Sequence, residues 1–227
     1  METIILDKIA FAADEKDFFG ALKLHPDSGM FEDAARVFRQ ARELVRPKAV
    51  YMAAVVERLG EDCIIIDGVT FTSRLLRINL ANAQSIYPFL ATCGEELEDW
   101  AGGINDMLES SWADMVMTMA LDAAVSALQS HLQGLVQGAK LSRMNPGSLA
   151  AWPIEQQKPL IELLDKGAEA IGMRLTDQYL LRPFKSVSGI QFVAKDYFVN
   201  CLLCPREGCQ NRELPYDEGL WDKYGGN

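Results

Sequence analysis

The stretch from about Trp112 to Leu135 constrains the fold of this 227-residue chain more than any other. Met115, Met119, Ala123, Ala127 and Leu128 fall on one face at helical spacing, and Gly138 just beyond is suited to cap the end. A helix of that length runs about 36 Å, so the other elements must be arranged along it. A companion helix is expected from Glu95 towards Leu108, with Gly102-Gly103 able to break or kink it. Upstream, Phe31, Ala34, Ala35, Phe38, Ala41 and Val45 predict a further helix, with Asp27 and Ser28 as candidate caps.

The remaining apolar segments have strand composition. Lys48 to Val56 is one, and Ser85 to Cys93 is another, ended by Gly94. Ile64-Ile65-Ile66 and Val69-Thr70-Phe71-Thr72 flank Asp67-Gly68 and read as a hairpin. After the long helix come a loop from Arg143 to Gly147, a helix from about Ile154 to Ile171 with Pro159 near its start, and a strand over Ser188 to Ala194. From Cys201 the chain turns polar, with Pro205, Gly208, Pro215 and a Gly225-Gly226 end, and is expected to be irregular and surface-lying. The strands cluster early and do not alternate with helices. The expected class is therefore α+β, a largely antiparallel twisted sheet with two long central helices. The expected organisation is one domain over 1–200 and a Cys-containing tail over 201–227.

The net charge of -10 argues against a nucleic-acid or anionic-membrane surface, since both reward clustered Lys and Arg. No apolar run approaches the length of a membrane-spanning helix. The N-terminus carries acids where a secretory leader would be basic, so a cytoplasmic location is expected. His25 and His131, the only histidines, read as structural or solvated, and no P-loop, G-x-S-x-G or H-E-x-x-H pattern occurs.

Of five cysteines, Cys63 and Cys93 are scattered, whereas Cys201-x-x-Cys204-x-x-x-x-Cys209 is a compact set. Two residues between thiolates let both reach one metal, and a third can close a face. A zinc ion or iron–sulfur cluster completed by another ligand, a reduced redox thiol set, and unliganded tail cysteines are three open readings.

Three ordered stretches resemble the activation domain of cobalamin-dependent methionine synthase, here as a stand-alone protein. Ala91-Thr92-Cys93-Gly94 followed by a helix pair resembles the family's strand, turn and helices. Arg143-x-x-Pro146-Gly147 resembles its Arg-Pro-Ala-Pro-Gly-Tyr loop. Gly172-Met173-Arg174-Leu175-Thr176 up to Pro183, then Ser186-Val187-Ser188-Gly189, resembles its Gly-Met-Lys-Leu-Thr and Ser-Val-Ser-Gly segments. The match covers roughly residues 85 to 198.

The resemblance implies an S-adenosylmethionine-binding domain that covers a corrinoid. In that family, cob(II) takes one electron from a flavodoxin-type donor, and S-adenosylmethionine methylates the resulting cob(I). The implied partners are a corrinoid-binding methyltransferase, or a methionine synthase lacking its own activation domain, and a flavodoxin-type or ferredoxin-type donor. Arg143 suits the ligand carboxylate through its planar fork. Asn145, Pro146, Gly147 and Ser148 form the loop, with Gly147 expected to let backbone approach the ligand. Ser148 stands where the family has Tyr. Tyr197 sits about where the family has a Tyr pair near the ligand, and is otherwise an edge-of-core tyrosine. Asp17 is available for the ligand ammonium, and is otherwise a solvated surface acid. Met107, Met115, Met117 and Met119 read most simply as core, or else as a corrinoid-facing surface. The alternative function is a non-catalytic metal- or iron–sulfur-binding interaction module on the same fold that has lost S-adenosylmethionine.

Overall fold

The computed structural model describes residues 2–209 and 212–224. It opens with β1 (Thr3–Leu6), α1 (Glu15–Leu22) and α2 (Phe31–Leu44). Next come β2 (Lys48–Met52), β3 (Val56–Leu59), β4 (Cys63–Ile66), β5 (Val69–Thr72) and α3 (Arg74–Leu80). The centre holds β6 (Ser85–Thr92), α4 (Glu95–Gly102), α5 (Met107–Leu135) and β7 (Leu141–Met144). Then follow α6 (Gln157–Leu163), α7 (Asp165–Ala170), the two-residue strands β8 (Arg174–Leu175) and β9 (Leu181–Arg182), β10 (Ser186–Val193) and α8 (Trp221–Tyr224). The Gly225-Gly226 end lies outside the described residues.

Five strands form one antiparallel sheet in the order β1-β2-β6-β10-β7. Strands β3, β4 and β5 form a second sheet, and β8 pairs with β9. This is the expected α+β class. On one face of the large sheet, Tyr51, Tyr87 and Phe89 pack against Ala124, Leu128 and Leu132 of α5. On the other, Val50 and Leu90 meet Leu164 and Ala168 beside α6 and α7. Met144, Ile190 and Phe192 join the small sheet and α3 through Ile64, Phe71 and Leu76. Phe18, Phe38, Leu97, Trp112 and Val116 make a mostly helical cluster at one end.

The hairpin over 63–72 forms as its turn residues dictate, with Asp67 and Gly68 both at positive φ (45° and 80°). The expected strand over 48–56 stops at Met52, because the Ala54 N–H turns to the Ile86 carbonyl (2.9 Å) and β3 departs to the second sheet. Helix α4 ends at Gly102, and α5 starts at Met107 rather than near Trp112. Asp106 Oδ1 sets that start by accepting from the N–H groups of Leu108 and Glu109, both at 2.9 Å. The side chains of Asp27 and Ser28 do not cap α2. It begins after Met30 without a side-chain cap, and Ser28 Oγ accepts the Met30 N–H at 3.3 Å instead.

The buried face of α5 is Trp112, Ala113, Val116, Ala120, Ala124, Leu128 and Leu132. Of the face read from the sequence, only Leu128 lies on it. The alanines are buried because they let α5 approach its neighbours closely. Met119, Ala123 and Ala127 are half-buried and line a groove of ≈ 680 Å³ beside residues 5–13. The expected helix over 154–171 is a 3-10 turn (Ile154–Gln156) followed by α6 and α7, interrupted at Leu164.

The C-terminal segment is largely exposed, as expected, but it is anchored by buried side chains. Leu203 (1% exposed) and Tyr224 (5% exposed) belong to the core, and the Tyr224 and Phe198 rings lie 5.2 Å apart. Among the described residues no helix is long and apolar enough to cross a membrane.

Candidate functional site

Strands β7 and β10 bring together two segments about forty residues apart in sequence. Ile190 pairs with Met144 and Gln191 with Arg143, so the chain leaving β7 runs past the start of β10. There Asn145 Nδ2 donates to the Ser188 carbonyl (2.8 Å). A side chain at Gly189 would collide with the Met144 carbonyl at 2.5 Å and Asn145 Nδ2 at 2.6 Å, so this close approach requires glycine. Asn145, Pro146 and Ser148 then form one wall of a cleft of ≈ 520 Å³. Ser186, Val187 and Ser188 lie opposite, with Leu180, Leu181 and Phe184 at the remaining side.

Local hydrogen bonds fix these walls. Ser188 Oγ donates to Gln157 Oε1 (2.9 Å), and Gln157 Nε2 donates to the Tyr179 carbonyl (2.7 Å), tying β10, α6 and the β8–β9 turn together. Ser186 Oγ donates to Thr92 Oγ1 (2.9 Å), which also accepts the Gly94 N–H (3.2 Å). The Ala91-Thr92-Cys93-Gly94 turn therefore backs the same end of the sheet. Burial pushes the adjacent Cys93 thiol from 9.0 up to about 12, and the Glu98 carboxylate adds to the effect.

Arg143 is not part of a loop but of the edge strand β7. Its N–H donates to the Phe198 carbonyl (2.9 Å), and it bridges Val199 in parallel, so residues 197–200 cover that sheet edge. The Arg143 guanidinium is engaged by the Glu213 carboxylate. Tyr197 belongs to the same neighbourhood. Its phenol is raised above its ordinary range first by burial and then by Glu213, while Arg143 opposes the shift. The Lys140 ammonium lies 5.6 Å from its ring centre.

Gly147 holds φ at 80° and donates its N–H to the Trp152 carbonyl (2.8 Å). An added Cβ would sit 3.1 Å from Ile154, so the glycine serves the turn and its packing rather than an open path to the cleft. Asp17 is remote from this assembly in connectivity. It sits in the first turn of α1, where it and Asp14 exchange reciprocal capping bonds (3.0 and 3.1 Å), and it does not line the cleft.

The three tail cysteines are not drawn into a donor set. Among the described residues no three His, Cys, Asp or Glu side chains are grouped to hold a metal ion. The centre of their loop is filled by a cation of the protein itself. The Arg212 guanidinium donates to the carbonyls of Cys201 (3.3 Å), Cys204 (3.1 Å) and Leu214 (3.3 Å), and to that of Arg206. Cys201 Sγ accepts the Glu213 N–H at 3.4 Å. Of the three readings left open by the sequence, unliganded tail cysteines is the one this arrangement favours.

Sequence reasoning missed Glu213, Gln157, Arg182, Phe184 and Glu98. Only the last three carried a signal, an aromatic and an Arg beside Pro183 and an acid-rich α4, and it is visible only once Glu98 is seen bonded to both Arg182 Nη1 (3.0 Å) and the Phe184 N–H (2.6 Å).

The architecture is α+β, an antiparallel sheet carrying a long helix on one face. No protein-family model matches the chain, and no curated protein matches it. Among solved structures it is similar to the MetH reactivation domain bound to AdoHcy, with a TM-score of 0.57 and 16% identity, covering 88% of this chain and 82% of that one. At that identity the likeness is one of fold.

The cleft is lined by both apolar and polar groups. Its volume lies within the ordinary range for small-molecule sites, and its apolar wall is interrupted by serine hydroxyls. Arg143 does not line this cleft; its guanidinium, two residues along the chain from Asn145, holds the Glu213 carboxylate.

Proposed function

We propose that this chain binds S-adenosylmethionine in the cleft between the β7 exit loop and the start of β10, and serves the reductive reactivation of a corrinoid-dependent methyltransferase such as methionine synthase. The observation that carries the proposal is the convergence of the Arg143–Gly147 and Ser186–Gly189 segments. Both were singled out by sequence, and the Asn145–Ser188 bond joins them beside one cleft. The fold likeness to a domain whose structure holds AdoHcy supports the same reading.

In this scheme Arg143 exchanges Glu213 for the ligand carboxylate in a charge-assisted pair. Asn145 keeps the loop against β10, and the serines of the cleft offer hydroxyls to ribose or base. When bound, S-adenosylmethionine supplies the methyl group for the partner's reduced corrinoid, and the electron comes from a flavodoxin-type or ferredoxin-type donor. This chain contributes binding and orientation.

Calorimetry with S-adenosylmethionine, on wild type and Arg143→Ala with the corrinoid partner present, tests the proposal. Wild type is expected to bind and Arg143→Ala to bind roughly tenfold or more weakly, the loss of a charged hydrogen-bond pair. Absence of binding by wild type would sink it.

A further inference from the structure

We infer that Phe184 is the platform on which a planar nucleobase stacks in this cleft, a binding residue that neither the ordered motifs nor the fold likeness assigns. The inference rests on the proposed nucleoside ligand and names the part of it this residue takes. Phe184 is the one aromatic side chain lining the cleft among the described residues. It is nevertheless 57% exposed, an unfavourable position for so large an apolar group unless something covers it.

The ring is held rather than loose. Glu98 Oε1, from α4, accepts the Phe184 N–H at 2.6 Å and Arg182 Nη1 at 3.0 Å. The Arg182 guanidinium in turn lies 3.6 Å from the Phe184 ring centre. One side chain therefore fixes both the backbone of the aromatic residue and the cation stacked on its ring. Because Glu98 neutralises Arg182, the back of the ring carries a closed ion pair rather than a bare charge, and the guanidinium already occupies one ring face. A second flat group on the other face completes a three-layer stack.

Of the parts of a nucleoside-type ligand, only the base is flat and apolar on its faces. Leu180 and Leu181 beside Phe184 make this side of the cleft apolar, which suits a base and not a charged amino-acid end. The arrangement places the base at the Phe184 side and leaves the carboxylate end for the β7 side, where Arg143 lies. Stacking tolerates any base, so Phe184 gives affinity, and discrimination among bases falls to the polar groups of the cleft.

The test is calorimetry on the full chain with S-adenosylhomocysteine, adenosine and L-methionine as separate probes, for wild type, Phe184→Ala and Phe184→Tyr. Phe184→Ala is expected to weaken S-adenosylhomocysteine and adenosine by roughly fivefold to a hundredfold, to leave L-methionine unchanged, and to keep the wild-type melting temperature because the ring is exposed. Phe184→Tyr is expected to restore both nucleoside probes. If wild type binds S-adenosylhomocysteine and Phe184→Ala binds it equally well, the inference is overturned while the proposed function stands. A loss that extends equally to L-methionine also overturns it. If wild type binds neither nucleoside probe, the proposed function fails and takes this inference with it.

Discussion

Glu213 and Arg143 form a pair only partly shielded from water, with side chains 42% and 27% exposed. Such a pair contributes little, up to about 1 kcal/mol, and so can be displaced by a ligand carboxylate that brings further contacts. Glu213→Gln removes the internal competitor without removing the guanidinium. It is expected to tighten S-adenosylhomocysteine up to about fivefold by calorimetry. Cys93 gives a prediction of a different kind. Its folded pKa, about 12, lies above the unfolded value near 9.0 because burial disfavours the thiolate. Above pH 9 the unfolded chain releases this proton and the folded one keeps it. The stabilisation is therefore complete below pH 9 and is lost progressively as pH rises towards 12. Denaturant titrations at pH 8 and pH 10.5 should show wild type losing more stability between the two than Cys93→Ala does.

At the scale of elements, the informative strand is β10. It alternates cleanly, with Ser188, Ile190 and Phe192 towards one layer and Val187 and Val193 towards α5. Gln191 points into the α5 layer at 2% exposure, and neither of its amide atoms has a hydrogen-bond partner among the described residues. An unsatisfied buried amide costs about 1–3 kcal/mol. Gln191→Met, of similar length and without the amide, should raise unfolding stability by about that amount in denaturant titration. Legibility also divides at this scale. The 63–72 hairpin was readable because its turn chemistry is local. The buried face of α5 was read one position out because alanines and methionines satisfy the same helical period, and only the neighbours decide which are covered. Strand β7 escaped notice because Leu141-Ser142-Arg143-Met144 has no strand pattern of its own and forms by pairing with β10. Strand β1 and helices α1 and α3 escaped for the same reason: they are short, and tertiary packing defines them.

For the whole molecule, the unexpected fact is that residues beyond 200 complete the core. Leu203 and Tyr224 pack with Phe198, Met144 and Ile190, beneath the strand that leads to the cleft. Leu203→Ala is therefore expected to cost about 2–5 kcal/mol, a core-sized penalty, measurable as a lower denaturation midpoint. A surface tail would show almost none. The same fact explains how much of the site could be read in advance. The Asn145-to-Ser148 wall and the serine wall opposite were legible because each is one continuous segment. The partners behind these walls were not, because Glu213, Gln157 and Glu98 come from three separate parts of the chain, and their spacing in sequence carries no trace of that meeting. The cysteines left several readings open for a related reason. Their spacing suits a metal, yet Arg212 supplies the central positive charge.

That arginine has a consequence for how binding and order are linked. The segment from Cys201 to Leu214 is gathered around one guanidinium, and the next residue along, Glu213, is its hold on the strand beside the cleft. A ligand that takes Arg143 for itself severs that hold while the Arg212 hub stays closed. Leu203 and Tyr224 stay in the core, so filling the proposed site would free the stretch around Glu213 and not the C-terminal segment as a whole. The usual expectation, that an occupied protein is the more rigid one throughout, would be reversed over this stretch of chain.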